Sequence, residues 1–264
     1  MSKKNFKPET LAAVDKLCPM DDTFFRLLAE DKDFCQEVIQ VILNMPDLKV
    51  VKTEPQKVLH NINGRSVTVD VLCEDSMGEL INIEIQKEDN DDHVKRVRYN
   101  AANIDTAMSR KGTAFKDLKD VYIIYISKFD VFSLGRTMYH VDKVIRETGD
   151  ILNDGIHMVY VNTKVNDGTV VAELMEIFKS SYVEENEKFP NVCRVVRNFK
   201  VGKGREAMCT VVEEYAKEYA EEEKRKQLTD IVKSLLCAGA SDDLIKNATG
   251  YSQDEIDEIR SEME

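Results

Sequence analysis

Asp70 and the triplet Glu84-Ile85-Gln86 are the residues whose types and spacing could do chemistry. Around the first, Val67, Val69, Val71 and Cys73 alternate with Thr68, Asp70 and Leu72, the period-2 pattern of a strand. Around the second, Ile81, Ile83 and Ile85 alternate with Asn82, Glu84 and Gln86. Ser76-Met77-Gly78 fits a three-residue hairpin loop with Gly78 left-handed, which sets Asp75 opposite Glu79. Counting back, Cys73 faces Ile81, Val71 faces Ile83 and Val69 faces Ile85, making one apolar face. On the other face Leu72 meets Asn82, Asp70 meets Glu84, and Thr68 meets Gln86. At about 4–5 Å and an effective dielectric of about 20, the two carboxylates repel by roughly 3–4 kcal/mol. Either one keeps its proton or a cation sits between them. Hard oxygen ligands with no His or Cys on that face favour Mg²⁺, Mn²⁺ or Ca²⁺ over Zn²⁺. A solvated outer hairpin face is the ordinary alternative. Against it stands Asp70 itself, a poor strand former set between Val69 and Val71.

The elements that must position this pair follow from the flanking pattern. The first 20 residues are polar and show no period. Asp21 or Asp22 opens a helical run carrying Phe24, Phe25, Leu27, Leu28, Val38, Ile39, Ile42 and Leu43, which Asn44-Met45-Pro46 ends. A strand over 58–62, an Asn63-Gly64 turn and a strand over 65–74 precede the hairpin loop, and a third strand runs over 79–87. The acidic break at 89–92 leads into a helix over 93–110 that Gly112 stops. Residues 121–126 read as a buried central strand, with shorter strands over 138–144 and 157–161. Helices follow over 170–179 and 191–199. From about 205 the chain reads as wholly helical. A long charged helix over 206–226 continues or breaks near Thr229, and a Ser252…Glu255 capping box opens a last one.

With these residues in place, the sequence resembles the PD-(D/E)XK nuclease superfamily, and within it the recombination-promoting nuclease (Rpn) and transposase family. The superfamily hairpin sets an Asp on one strand and Glu-x-Lys or Glu-x-Gln on the next, here Asp70 and Glu84-Ile85-Gln86. Asp22 with Phe25 and Arg26 matches the family's opening helix, and Lys95-Arg96 with Tyr99 its post-hairpin helix. Gly112, Phe115 and Leu118 followed by Val121-Tyr122-Ile123-Ile124 match the segment into its next strand. The resemblance implies an α/β fold, a restriction-endonuclease-like mixed sheet flanked by helices, with an all-helical tail. It divides the chain into an N-terminal segment (1–20), a nuclease-like domain (21–200) and a tail (205–264). It implies metal-dependent hydrolysis of DNA phosphodiesters in the cytoplasm of a prokaryotic cell, in recombination or mobile-element contexts. Asp70, Glu84 and the main-chain carbonyl of Ile85 would hold Mg²⁺, with Mn²⁺ or Ca²⁺ as substitutes. The ion would activate water for in-line attack. Gln86 would orient that water, though it brings no positive charge where the superfamily's commonest residue is Lys. Lys87 is excluded by strand parity. Lys95, Arg96 and Tyr99 are the candidates for DNA contact. Asp22 would either serve a second ion or cap its helix.

Composition narrows the rival classes. The 264 residues hold 37 basic and 49 acidic side chains, a net charge of −12 that argues against a polybasic nucleic-acid coat. Residues 205–264 hold 8 basic and 16 acidic side chains and so carry −8 of it. Between Val94 and Lys119 seven Lys and Arg stand against Asp105 and Asp117, a basic segment suited to phosphate. The tail's closing helix-turn-helix pattern has an acidic second helix. That favours an oligomerisation or partner-binding module, such as a homo-oligomer contact, over a DNA reader. No Walker A loop, G-x-G-x-x-G or G-x-S-x-G motif is present, which removes the commonest NTPase, dinucleotide and hydrolase readings. The six cysteines form no C-x-x-C pair and read as reduced core residues. No apolar run is long enough for a membrane span, and no signal-peptide pattern follows Met1. The rival from a different class is a catalytically weak or inactive DNA-binding protein on a nuclease scaffold.

Overall fold

The computed structural model describes residues 6–60, 66–109 and 112–263. Helix α1 (Pro8–Lys16) starts on a proline whose fixed φ suits a first helical position, and it buries only Thr10 and Val14. That stripe is too narrow to register as a period, and a helix lies within the first 20 residues although no period marks it. The helical run after Asp21 is two helices, α2 (Asp22–Leu28) and α3 (Lys32–Leu43). Asp31 divides them, its carboxylate accepting from the N–H groups of Asp33 (3.0 Å) and Phe34 (3.1 Å). Asn44, left-handed at φ 53°, ends α3.

Strand β1 (Val50–Leu59) pairs antiparallel with β2 (Val67–Asp75), which pairs antiparallel with β3 (Leu80–Gln86). β1 starts eight residues before the expected 58, because Pro55 and the polar run before it hide the strand. Pro55 is tolerated since β1 is a sheet edge. The Asn63-Gly64 turn lies outside the described residues. The β2–β3 loop is as expected. Gly78 has φ +80°, the Asp75 N–H donates to the Glu79 carbonyl (3.1 Å), and the Asp75 carboxylate accepts from the N–H groups of Met77 and Glu79, 2.8 Å each.

After β3 the chain crosses through helix α4 (His93–Met108) and a short 3₁₀ turn (Phe115–Asp117) to β4 (Val121–Ser127), parallel to β3. β5 (Met138–Val141) and β8 (Ile156–Asn162) complete a six-stranded mixed sheet of order β1-β2-β3-β4-β8-β5. The expected strand over 138–144 is cut at Asp142. Its second part, β6 (Lys143–Val144), pairs instead with β7 (Ile151–Leu152). α4 covers one sheet face, its Val97, Ala101 and Ile104 packing with Leu72, Leu80, Ile123 and Tyr125. On the rest of the core, α3 packs against β1, helix α5 (Val170–Lys179) and helix α6 (Pro190–Val201). Phe34 there lies 6.2 Å from both Phe25 and Phe178, ring centre to ring centre. A parallel β3–β4 step requires a crossover helix, so the face carrying Glu84 is covered too, and the expectation of one core face and one polar face is corrected.

The chain divides into two compact units, Met1–Cys209 and Thr210–Glu264. Helix α7 (Arg205–Cys237) does not break at Thr229, whose hydroxyl bonds back to the Arg225 carbonyl (3.0 Å). The second unit closes over Val232, Ile245, Tyr251, Ile256 and Ile259, with helices α8 (Asp242–Thr249) and α9 (Gln253–Glu262). Gly250 turns the chain between them, and the Ser252–Glu255 capping box is formed. Five cysteines are buried, Cys237 is exposed, and all six are free thiols. Among the described residues, no helix is long and apolar enough to cross a membrane.

Candidate active site

The β2–β3 ladder runs from Glu74 opposite Leu80 through Cys73–Ile81 and Leu72–Asn82 to Val71 opposite Ile83. At the next position side chains take over. The Asp70 N–H donates to Glu84 Oε1 (3.2 Å), and the Ile85 N–H donates to Asp70 Oδ2 (2.9 Å). Beyond this point β2 stays with β1, through Val69–Lys57 and Thr68–Val58, while β3 stays with β4, through Glu84–Tyr125 and Gln86–Ser127. The sheet forks, and the two carboxylates sit in the fork. The expected Val69–Ile85 and Thr68–Gln86 rungs are therefore replaced, because the amides that would begin them are spent on carboxylate oxygens.

Both acids pay in desolvation. Burial, reinforced by the charge of Asp70, pushes the Glu84 carboxyl up to about 8, against the pull of hydrogen bonds from Asn82 and the Asp70 N–H and of the Arg96 charge. Burial also pushes Asp70 up to about 6. The Ile85 N–H lowers it, the Asp22 charge raises it, and the Gln56 side chain and Arg96 lower it. The two titrate as one system, and near neutral pH the pair retains a proton unless positive charge arrives. Among the described residues no group of three or more His, Cys, Asp and Glu could hold a metal ion. A divalent ion here would rest on two protein carboxylates and take its other ligands from main-chain carbonyl, water or phosphate oxygen, which is the habit of Mg²⁺. Two carboxylates, Glu84 buried and Asp70 half-buried, offer the oxygen donors that ion takes.

The remaining expected residues divide. Gln86 is half-buried, and its amide donates to the Glu88 carbonyl (2.7 Å). Lys87 turns to Asp21 (2.5 Å), in keeping with its exclusion. Arg96 reaches Asp92 (3.2 Å), while its buried Nε has no partner among the described residues. Its charge is felt by both carboxylates. Lys95 and Tyr99 are exposed on α4. Asp22 is the first residue of α2; Asp21 stands at the cap position and accepts from the Cys18 N–H (2.6 Å) instead of capping. Asp22 therefore does not cap its helix, and burial raises its own carboxyl. Among the described residues of the basic segment, one lies far from the site. Lys119 donates to the Met77 carbonyl (2.9 Å) at the opposite end of the hairpin, and Arg110 and Lys111 lie outside the described residues.

Sequence reasoning missed three neighbours. Asn82 donates to Glu84 Oε1 (2.9 Å), and a fully buried amide two residues before Glu84 on its own face was a readable signal. His93 bonds Tyr125 through Nδ1 and Asp89 through Nε2, 2.8 Å each, which ties α4 to the strand beside Glu84. Gln56 on β1 meets Asp70, and nothing in its sequence context announced it.

A mixed sheet that forks around two facing carboxylates beneath a crossover helix defines a restriction-endonuclease-like nuclease fold. The family model described as PD-(D/E)XK nuclease family transposase matches residues 19–235, and the chain belongs to that family. No curated protein and no solved structure matches the chain.

Proposed function

We propose that this protein is a divalent-metal-dependent DNA endonuclease, with Asp70, Glu84 and the Ile85 carbonyl as metal ligands and a role in recombination or mobile-element DNA. The observation that supports it best is the fork, where two carboxylates each have an oxygen held by a main-chain N–H and both are left short of positive charge. A bound Mg²⁺ would supply Lewis acidity toward a phosphate and lower the pKa of water. The chain's own residues do the positioning. The Ile85 and Asp70 amides fix the two acids, and Asn82 donates to the same Glu84 oxygen as the Asp70 N–H. Gln86, beside Glu84 on β3, orients the attacking water once its amide leaves the Glu88 carbonyl. Arg96 offsets negative charge at the site, and Lys95 and Tyr99 meet the DNA backbone from α4. The acidic tail serves oligomerisation or partner binding.

One observation favours a second reading, a DNA-binding protein that cuts weakly or not at all. Gln86 faces away to Glu88, and Lys87 is taken by Asp21, so neither residue brings a cation to the carboxylates. A supercoiled-plasmid nicking assay separates the two. The first reading expects Mg²⁺-dependent nicking by the wild type and none by Asp70→Ala. Equal activity in both removes it, and DNA binding without nicking in the wild type selects the second.

A further inference from the structure

Gln56 departs from strand backbone within β1 without shifting its register. Its φ is +50°, a left-handed backbone that a side chain with a β-carbon rarely adopts inside a strand. The rungs on either side, Pro55 opposite Val71 and Lys57 opposite Val69, place Gln56 opposite Asp70. The irregularity in β1 therefore falls beside the residue at which β2 leaves β3. Pro55, with no N–H to give, precedes it. Gln56 is half-buried, and a hydrogen bond from its side chain lowers the Asp70 carboxyl. The left-handed backbone thus falls at the β1 residue that lies beside Asp70, and strained backbone of this kind gathers at functional sites. Residues directly opposite on antiparallel strands share a sheet face, so this register itself sets Gln56 beside Asp70.

We infer that Gln56 is a positioning residue of this site, its side-chain amide steering the Asp70 carboxylate so that one oxygen faces the cation while the other stays on the Ile85 N–H. The inference rests on the proposed metal site. Asp70 is thereby held from both neighbouring strands, by Gln56 on β1 and by the Ile85 N–H on β3.

The test is calorimetric titration of Mn²⁺ into the full chain, with thermal midpoints measured in chelator. Gln56→Gly removes the amide and also relieves the backbone, since glycine adopts positive φ freely. It should keep or raise the thermal midpoint while weakening Mn²⁺ binding roughly ten- to a hundredfold, the usual cost of losing a group that orients a ligand. Gln56→Asn keeps an amide and tolerates the left-handed backbone, so it should bind Mn²⁺ more tightly than the glycine variant. A Gln56→Gly chain that binds Mn²⁺ as the wild type does overturns the inference. So does an Asn variant as weak as the glycine one. Failure of the wild type itself to bind Mn²⁺ overturns the metal site as well, and is told apart because it needs no variant.

Discussion

Two of the three acids of strand β2, Asp70 and Asp75, lie five residues apart and do opposite things. Asp75 lies at the closed end of the hairpin, where its carboxylate takes the Met77 and Glu79 N–H groups at 2.8 Å each and finishes the turn. Asp70 lies at the open end, where it shares a buried fork with Glu84 and is pushed up to about 6. Both are acids of one strand, yet one completes a structure and the other leaves a charge deficit. The difference is whether the local backbone satisfies the carboxylate. An acid whose oxygen is held by its own turn belongs to the fold, whereas a pair whose carboxyls stay raised despite the Arg96 charge points to a ligand.

The contrast can be broken by substitution. The largest effect is expected at the open end, where Glu84→Ala should reduce Mg²⁺-dependent nicking to the metal-free background; retained cleavage would make Glu84 as structural as Asp75. Arg96→Gln should lower nicking roughly ten- to a hundredfold, since this cation acts on both carboxylates. Steady-state nicking rates at saturating DNA measure that loss, and an unchanged rate would remove Arg96 from the site.

Stability should separate the two ends as well. Glu84 is raised from 4.5 to about 8 on folding, so the folded chain binds more protons than the unfolded one between those values. In chelator, stability should therefore be highest near the lower value and fall as pH rises toward about 8, by on the order of 3 kcal/mol. Glu84→Gln should flatten that slope, and denaturant melts across the window will show whether it does. The smallest effect is expected from Asp75→Ala. It should cost about 1–2 kcal/mol by leaving turn amides without their acceptor, yet leave Mg²⁺ binding as it is. A loss of Mg²⁺ binding there would erase the distinction between the two ends.

The open end was legible in part. Alternation around Asp70 and Glu84 and the Gly78 loop sufficed to bring the two acids together, because hairpin parity is set locally. What parity could not show is that the carboxylates displace the ladder, since that depends on which oxygens capture the Asp70 and Ile85 amides. β1 was half-hidden by Pro55, and the left-handed backbone of Gln56 leaves no trace in residue type. The direction of Gln86 was equally unreadable, because a side-chain amide chooses among acceptors only once Glu88 is placed. Helix α4 was readable from its start to within two residues of its end, but not that it covers the Glu84 face, which follows from the parallel crossover. The narrow apolar stripe of α1 escaped notice, and the break between α2 and α3, in the charged stretch Glu30-Asp31-Lys32-Asp33, was read through as one helix.

The central claim is that Asp70 and Glu84 share one divalent ion. Calorimetric titration of Mg²⁺ into the wild-type chain, beside Asp70→Ala, tests it most directly. The account predicts saturable binding near one ion per chain that the substitution abolishes. Binding that survives Asp70→Ala, or no saturable binding to the wild type, would contradict it.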